Sequence, residues 1–456
     1  MKVLLVNPPY TESAYIQPPL GLAYLAAVLE NQGHLVKIFD CPALKWGIKD
    51  YEKTLMKESF DIVGITAMTP VINSAKEVAK VTRNVLPSSI ILLGGQHITS
   101  FPKQTMTQIS EIDIGAIGEA EETIKELTKA ISDKKNLKGV DGIIYRQKTN
   151  LVITKRRELI KNLDEIPFPA RHLLPNSKYW KLTGDRNFTT ILFSRGCPYN
   201  CVFCAKEIFG KTYRQRSVEN LVDEIKHIVK TMKVKEIVFY DDTLTINREK
   251  IIKLCDELIK LKLDLKWKCE TRVNLVDEEL LRKMKQSGCY IVAFGVESAV
   301  QKNLDFLNKG ITVEQTRKAF SLAKKAGLQT AGYFIFGIPG ETKEEMIKTI
   351  NFAKELNPDY AQFSILTPFE GTKLHNFCKD NGLLKSRDYS EMSYFGEHSN
   401  TNLKSGVSDD DLRKTVKKAY REFYLRPSYI LKQVRFLFSP SGLVNIARSL
   451  KTLIKQ

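Results

Sequence analysis

Three cysteines stand within eight residues, in Ser194-Arg195-Gly196-Cys197-Pro198-Tyr199-Asn200-Cys201-Val202-Phe203-Cys204. The spacing is Cys-x3-Cys-x2-Cys, and the run directly follows a strand-like stretch. Three thiolates on so short a loop can hold three corners of an iron–sulfur cubane, a cluster that ordinarily takes four cysteines. No fourth cysteine or histidine follows nearby; His227, the nearest histidine, lies 23 residues beyond Cys204 inside a helical pattern. One metal position would therefore stay open, which marks a catalytic rather than a structural centre. A structural zinc site needs four closed ligands and is disfavoured on the same count.

The other five cysteines, Cys41, Cys255, Cys269, Cys289 and Cys378, are scattered and read as small buried hydrophobes. Clustered cysteines in a long chain without a secretion signal point to a reducing cytoplasm rather than a disulfide framework. No apolar stretch approaches the roughly 18 residues of a membrane span. With 43% hydrophobic and 27% charged residues, a wholly disordered or fibrous chain is excluded. The net charge of +18, from 70 Lys+Arg against 52 Asp+Glu in 456 residues, suggests an anionic partner without choosing one.

The elements that must position the cysteines follow from periodicity. Residues 1–145 alternate strands (Val3–Val6, Val36–Phe39, Ile62–Thr66, Ile90–Leu93, Ile112–Ile117) with helical patterns, which predicts a doubly wound, Rossmann-like parallel sheet. In such a sheet ligands sit beyond the carboxyl ends of the strands. Residues 146–188 read as a linker. From 189 to 390 a second series follows, with strands at Thr190–Ser194, Glu236–Tyr240, Lys266–Thr271, Tyr290–Phe294, Tyr333–Phe336 and Gln362–Leu366. Six β-then-α units predict a partial (β/α)6 barrel with functional groups at the strand tips. Residues 391–456 read as a small helical C-terminal region. Its last 56 residues carry twelve Lys/Arg against four Asp/Glu, interleaved with Tyr420, Phe423, Tyr424, Tyr429, Phe436 and Phe438. That mixture also fits an RNA-facing patch or an interfacial helix.

The cysteine loop, with an aromatic just before its last cysteine, resembles the signature of the radical S-adenosylmethionine (SAM) superfamily. The resemblance covers about residues 189–370. It implies that Cys197, Cys201 and Cys204 bind a [4Fe–4S] cluster whose fourth iron chelates SAM, and that Phe203 lies beside the adenine. It implies cleavage of SAM to methionine and a 5′-deoxyadenosyl radical that takes hydrogen from substrate. Tyr240-Asp241-Asp242-Thr243 stands where the family often has a Gly-Gly-Glu type sequence, so Asp241 or Asp242 takes the SAM amino group. By the same resemblance Arg272 is a candidate for the SAM carboxylate, Glu297 and Ser298 stand at the ribose position, and Gly337 opens the adenine-side turn.

The first domain, opening with Asn7-Pro8-Pro9, resembles the cobalamin-binding domain of B12-dependent radical SAM proteins. Thr66-Ala67-Met68, Gly94-Gly95 and Gly118-Glu119 stand at successive strand ends and carry that resemblance, with His97 as a neighbour of the cofactor. Small residues there let backbone approach a flat corrinoid. The Asp-x-His-x-x-Gly motif that supplies a cobalt ligand in many cobalamin domains is absent, so the lower cobalt face would lack a histidine. The tail around Phe423–Tyr429 resembles the anaerobic magnesium-protoporphyrin ester cyclase and hopanoid-processing group.

Together these resemblances imply a cobalamin-dependent radical SAM enzyme that methylates an unactivated carbon, methylcobalamin supplying the methyl group and a second SAM restoring it. Oxidative cyclisation or rearrangement of a tetrapyrrole or lipid-like substrate is the runner-up. A tRNA-modifying methylthiotransferase would need three further cysteines for a second cluster, and the first 196 residues hold only Cys41, so nucleic acid is disfavoured. The expected partners are a small, apolar substrate and a reductant such as flavodoxin or ferredoxin, with peripheral membrane contact through the basic tail.

Overall fold

A computed structural model describes residues 1–10, 16–180, 187–385, 401 and 403–431. The chain divides into two compact units, Met1–Lys181 with Lys206–Arg216, and Leu182–Ala205 with Ser217–Gln456.

The first unit is built on a seven-stranded sheet. In spatial order its strands are Leu35–Asp40, Lys2–Asn7, Ile62–Thr66, Ile90–Gly94, Ile114–Ala116, Ile143–Gln147 and Asn150–Ile153. The first five are parallel and the last two join antiparallel at the edge. Val3–Val6 is fully buried, as expected of a strand covered on both faces. The helix Leu20–Asn31 starts after Pro18-Pro19 and stops before Gly33, whose φ of 79° only glycine adopts cheaply. The segment expected to be a linker departs from that reading. Ile143–Gln147 and Asn150–Ile153 extend the sheet, and Leu163, Ile166, Ala170, Leu174 and Tyr179 are buried. Tyr179 donates to Asp40 Oδ2 at 2.8 Å and so ties this stretch to the first unit. Its prolines stop helices but do not prevent burial.

The second unit contains a six-stranded parallel sheet in strictly sequential order: Phe188–Ile191, Glu236–Phe239, Lys266–Thr271, Cys289–Glu297, Gln329–Phe336 and Tyr360–Ile365. This is the predicted partial barrel. Alternate side chains (Ile237, Phe239, Trp267, Cys269, Val292, Phe294, Phe334, Phe336, Phe363) form one core with the surrounding helices. Five of those helices start at a side-chain cap that accepts a backbone N–H: Ser217, Asn247, Asp277, Thr312 and Thr342. Such caps satisfy otherwise orphaned donors and fix where each strand-to-helix loop ends.

The described part of the tail forms the expected helix, packed against the barrel. The helix Asp409–Tyr424 buries Leu412, Val416, Ala419 and Phe423 in the barrel core. It also closes the last strand of the sheet: Ala361 N–H donates to Tyr424 Oη at 2.9 Å, and Phe363 N–H to Tyr420 Oη at 3.2 Å. An exposed sheet edge invites aggregation, and these hydroxyls fill its unpaired groups. The aromatics Tyr420, Phe423, Tyr424 and Tyr429 thus serve packing rather than stacking on RNA bases; Phe436 and Phe438 lie outside the described residues. Among the described residues no helix is long and apolar enough to cross a membrane.

Candidate functional site

The cysteine loop leaves the first barrel strand three residues earlier than periodicity suggested, at Ile191 rather than Ser194. Asp241, at the end of the second strand, is the reason. It accepts the backbone N–H of Phe193 at 3.1 Å and that of Ser194 at 2.5 Å, together with the Ser194 hydroxyl. Those donors are thereby drawn off the sheet ladder. Burial pushes the Asp241 carboxyl up to about 6. Both its oxygens are engaged beneath the loop, whereas Asp242, the other candidate for the SAM amino group, is exposed.

Along the loop the three thiols differ in exposure: Cys197 is buried, Cys201 half-buried and Cys204 exposed. None of the eight cysteines is in a disulfide. Cys197 Sγ lies 3.7 Å from Thr243 Oγ1, and Cys204 N–H turns back to Cys201 O at 3.4 Å. Val202 anchors the middle, donating to Leu307 O at 3.0 Å and accepting from Leu374 N–H at 2.9 Å. Among the described residues no three Cys, His, Asp or Glu side chains converge as a preformed metal cage. The donor set nonetheless suits an iron–sulfur cluster: three soft thiols share one otherwise irregular loop beside a guanidinium.

That guanidinium belongs to Arg272, at the tip of the third strand. It stacks over Tyr199 at 3.7 Å, its Nη1 is 3.6 Å from Cys201 Sγ, its Nε reaches Asn274 Oδ1 at 3.2 Å, and its Nη2 donates to Lys309 O. Arg272 thus clamps the loop through Tyr199 and Cys201. The cation that sequence reading missed is Lys309. Its ammonium lies 2.6 Å from Glu297 Oε1 and 5.9 Å from the centre of the Phe203 ring. Lys309 stands twelve residues beyond Glu297 in a loop, where no periodicity or short spacing singles it out.

Phe203 packs against the buried cluster Leu307, Ile338, Leu366 and Leu374. Ser298, expected near ribose, instead braces the turn after strand four: its hydroxyl accepts from Val300 N–H at 3.2 Å and Asn303 Nδ2 at 3.3 Å. Gly337 has φ 80°, and a Cβ there would press on Leu412 at 3.2 Å. Its N–H and that of Ile338 both donate to Glu341 Oε2, at 2.8 and 3.2 Å, and burial lifts that carboxyl to about 7. The turn expected beside adenine is therefore held in shape by Glu341 and Asn303, which donates to Glu341 Oε1 at 3.1 Å.

In the first unit, Thr66, Met68, Gly94 and Gly118 form a ledge at the carboxyl ends of three neighbouring strands. Met68 is 52% exposed, and a Cβ on Gly94 or Gly118 would meet nothing within 4 Å. The ledge is open where a flat ligand needs room. Gly95 plays a different part. Its φ is 96°, and a Cβ would strike Ala67 O at 2.8 Å, so it lets two strand tips close on each other. His97 is buried, with Nδ1 3.3 Å from Thr69 Oγ1 and its ring against Phe101. Burial lowers its pKa to about 4, so the imidazole is neutral near pH 7. Glu119 is not on the ledge surface. It is buried in an ion pair with Arg214 Nη1 at 2.7 Å and accepts Ile160 N–H at 2.9 Å, so it serves folding of this unit. Gln17 Oε1 and both polar atoms of the Gln215 amide are buried with no partner among the described residues.

Comparison with known proteins agrees with this geometry. Residues 191–353 match the model of the radical SAM superfamily, and residues 9–128 match that of the B12 binding domain. The chain is 41% identical to an uncharacterized methyltransferase, PH0819, of Pyrococcus horikoshii, over 100% of this chain and 98% of that one. It is 31% identical to the anaerobic magnesium-protoporphyrin IX monomethyl ester cyclase of Rubrivivax gelatinosus, over 94% of this chain and 78% of the other. Its fold is similar to that of the radical S-adenosylmethionine methyltransferase TsrM from Kitasatospora setae, with TM-score 0.71 and 20% identity, over 85% of this chain and 79% of TsrM.

Proposed function

Because the chain belongs to the cobalamin-dependent radical SAM methyltransferase family, we propose that it methylates an unactivated carbon of a small, largely apolar substrate. Cys197, Cys201 and Cys204 would hold a [4Fe–4S] cluster, and the ledge of Thr66, Met68, Gly94 and Gly118 would carry cobalamin. When bound, the cluster supplies the electron that cleaves SAM to a 5′-deoxyadenosyl radical, and the corrinoid supplies the methyl group. Arg272, Tyr199 and Thr243 fix the loop that presents the three thiols. Lys309 offers a cation to the SAM carboxylate, Glu297 an acceptor to ribose hydroxyls, Asp242 an acceptor to the amino group, and Phe203 a ring to the adenine. Asp241 and Glu341 hold the two loops around that pocket.

The observation that carries this reading is the three-thiol loop at the carboxyl edge of a parallel barrel, with Arg272, Glu297 and Lys309 brought to it from separate stretches of chain. Ring closure or rearrangement with the same cofactors is the second reading, favoured by the similarity to the Rubrivivax cyclase. A one-electron donor of the flavodoxin or ferredoxin kind would reduce the cluster. Eight cysteines with no disulfide suit a reducing, cytoplasmic setting, and an apolar substrate would favour contact with a membrane surface.

The test is anaerobic reconstitution with iron, sulfide and hydroxocobalamin, followed by reduction with SAM. Wild type should form 5′-deoxyadenosine and Cys201→Ala should not. No 5′-deoxyadenosine from wild type, or equal amounts from both, overturns the radical SAM reading. A corrin spectrum that fails to co-elute with the chain in gel filtration overturns the cobalamin assignment.

A further inference from the structure

The barrel strands alternate, so the face opposite the helix-packed core can be read directly. On strand three, Trp267, Cys269 and Thr271 are buried, the first two in the core shared with the helices. Lys268 and Glu270 therefore project to the inner face. A separate small cluster of Ile291, Ala293 and Ala331, with Tyr290, Tyr333 and Tyr360 packed against it, lies on that same inner face. At its upper end, a Cβ on Gly295 would meet Glu297 Oε1 and Lys309 Nζ, each at 2.6 Å, so the Glu297–Lys309 pair also overhangs the inner face.

Two carboxylate–tyrosine pairs stand below it. Tyr290 Oη donates to Glu236 Oε1 at 2.6 Å, and Tyr333 Oη donates to Glu270 Oε1 at 2.8 Å. They differ in setting. Glu236 is buried at the amino end of its strand, whereas Glu270 is solvent-exposed at the carboxyl end of its own, where barrel enzymes place their substrates. Glu270 lies two residues, about 7 Å of strand, below Arg272, the clamp on the cysteine loop. The residues between the two pairs, Ala293 and Ala331, are small and buried, with the tyrosine rings packed against them.

We propose that Glu270 and Tyr333 form the polar end of the substrate site and select a substrate that presents a hydrogen-bond donor, a hydroxyl or an amine, to an otherwise apolar inner face. This rests on the reading of the chain as an enzyme whose reaction takes place at the cysteine loop. The donor inventory decides the class. The tyrosine proton is already given to Glu270, so what the pair offers is an acceptor, the second carboxylate oxygen of Glu270. The partly buried rings of Tyr290, Tyr333 and Tyr360 offer contact to the substrate's hydrocarbon part. Glu270 keeps contact with solvent, yet the protein atoms packed around its carboxyl raise it above its ordinary value, and the Tyr333 hydrogen bond opposes that shift. A donor arriving from substrate would oppose it further. Lys268 and Asp242 are the charged neighbours acting on Glu270.

The test uses three probes of equal heavy-atom count, pentan-1-ol, pentylamine and butyl methyl ether, with the full-length chain and ligand-observed saturation-transfer NMR. The alcohol, the amine or both should give signals about threefold above the ether, as expected for one hydrogen bond to a wet acceptor. The arm that responds shows which donor the site takes. In Glu270→Met/Tyr333→Phe that advantage should vanish while the ether signal stays. Because this variant could lose its fold, Tyr333→Phe alone, with its melting temperature, is the second arm; it should keep the wild-type melting temperature and lose part of the advantage. Equal signals for all three probes in wild type, or an undiminished advantage in a folded variant, overturns the proposal. Neither cluster nor SAM is needed for this measurement. Failure here leaves the 5′-deoxyadenosine result standing, and loss of that result leaves the probe selectivity standing.

Discussion

Lys309 and Glu297 form a buried ion pair at 2.6 Å, and Glu297 makes it from a left-handed backbone conformation, φ 66°. Their side chains are only 9% and 6% exposed, so each charge depends on the other for solvation. Breaking one partner strands the other. Lys309→Met should cost about 3–5 kcal/mol, and adding Glu297→Gln should restore most of it. Glu297→Gly should be less damaging than Glu297→Ala by about 1 kcal/mol, because only the alanine stays strained. Urea unfolding of the four variants checks this; a double variant as unstable as Lys309→Met alone would remove the ion pair as the cause.

Asp241 fastens the root of the cysteine loop. Asparagine there would turn an NH2 toward donors that now meet carboxylate oxygens. Asp241→Asn should destabilise the chain by about 1–3 kcal/mol and lower iron retained per chain after reconstitution. Full iron content with an unchanged melting temperature would show that the loop needs no such fastening.

Two raised carboxyls give a pH signature. Asp241 stands at about 6 and Glu341 at about 7, in both cases because burial disfavours the charged form. Each holds its proton more tightly folded than unfolded. Their contribution is therefore complete below about pH 4 and is lost as pH rises through 6 and 7. Acidifying from pH 8 to 5 should add stability, up to about 1.4 kcal/mol per pH unit for each proton bound. Glu341→Gln should flatten the portion nearest pH 7, as read from urea midpoints at unit steps. An unchanged slope would place the titration elsewhere.

Adjacent glycines separate folding from binding. Gly95→Ala should be destabilising by more than about 1 kcal/mol, since the new methyl meets Ala67 O at 2.8 Å from a positive φ. Gly94→Val should fold normally, as open space surrounds its Cβ position, yet retain cobalamin about tenfold more weakly. Melting curves and corrin co-elution test the pair; equal corrin retention by Gly94→Val would move the cofactor off the ledge.

Much was legible in one dimension because the relevant physics is local. Cys197, Cys201 and Cys204 stand out by spacing alone, and short apolar runs alternating with helical patterns foretell parallel strands and their helices. The role of the tail was not legible. A basic, aromatic segment has the same composition whether its tyrosines meet a nucleic acid or, as Tyr420 and Tyr424 do, the edge of a strand about 60 residues upstream.

Thiol spacing and hydrophobic period depend on near neighbours, so the three-cysteine loop and the parallel strands of the two sheets were already written in the chain. Which polar residues serve that loop was settled in three dimensions. Folding turned Asp241, Ser298 and Glu119 inward to brace the structure, assigned Arg272 to the loop, and brought in Lys309 from a featureless stretch. The reason is that a carboxylate or a cation at a strand tip has several partners within reach. Which one it takes is set by burial and by distances between chain segments far apart in sequence, quantities that no local pattern encodes.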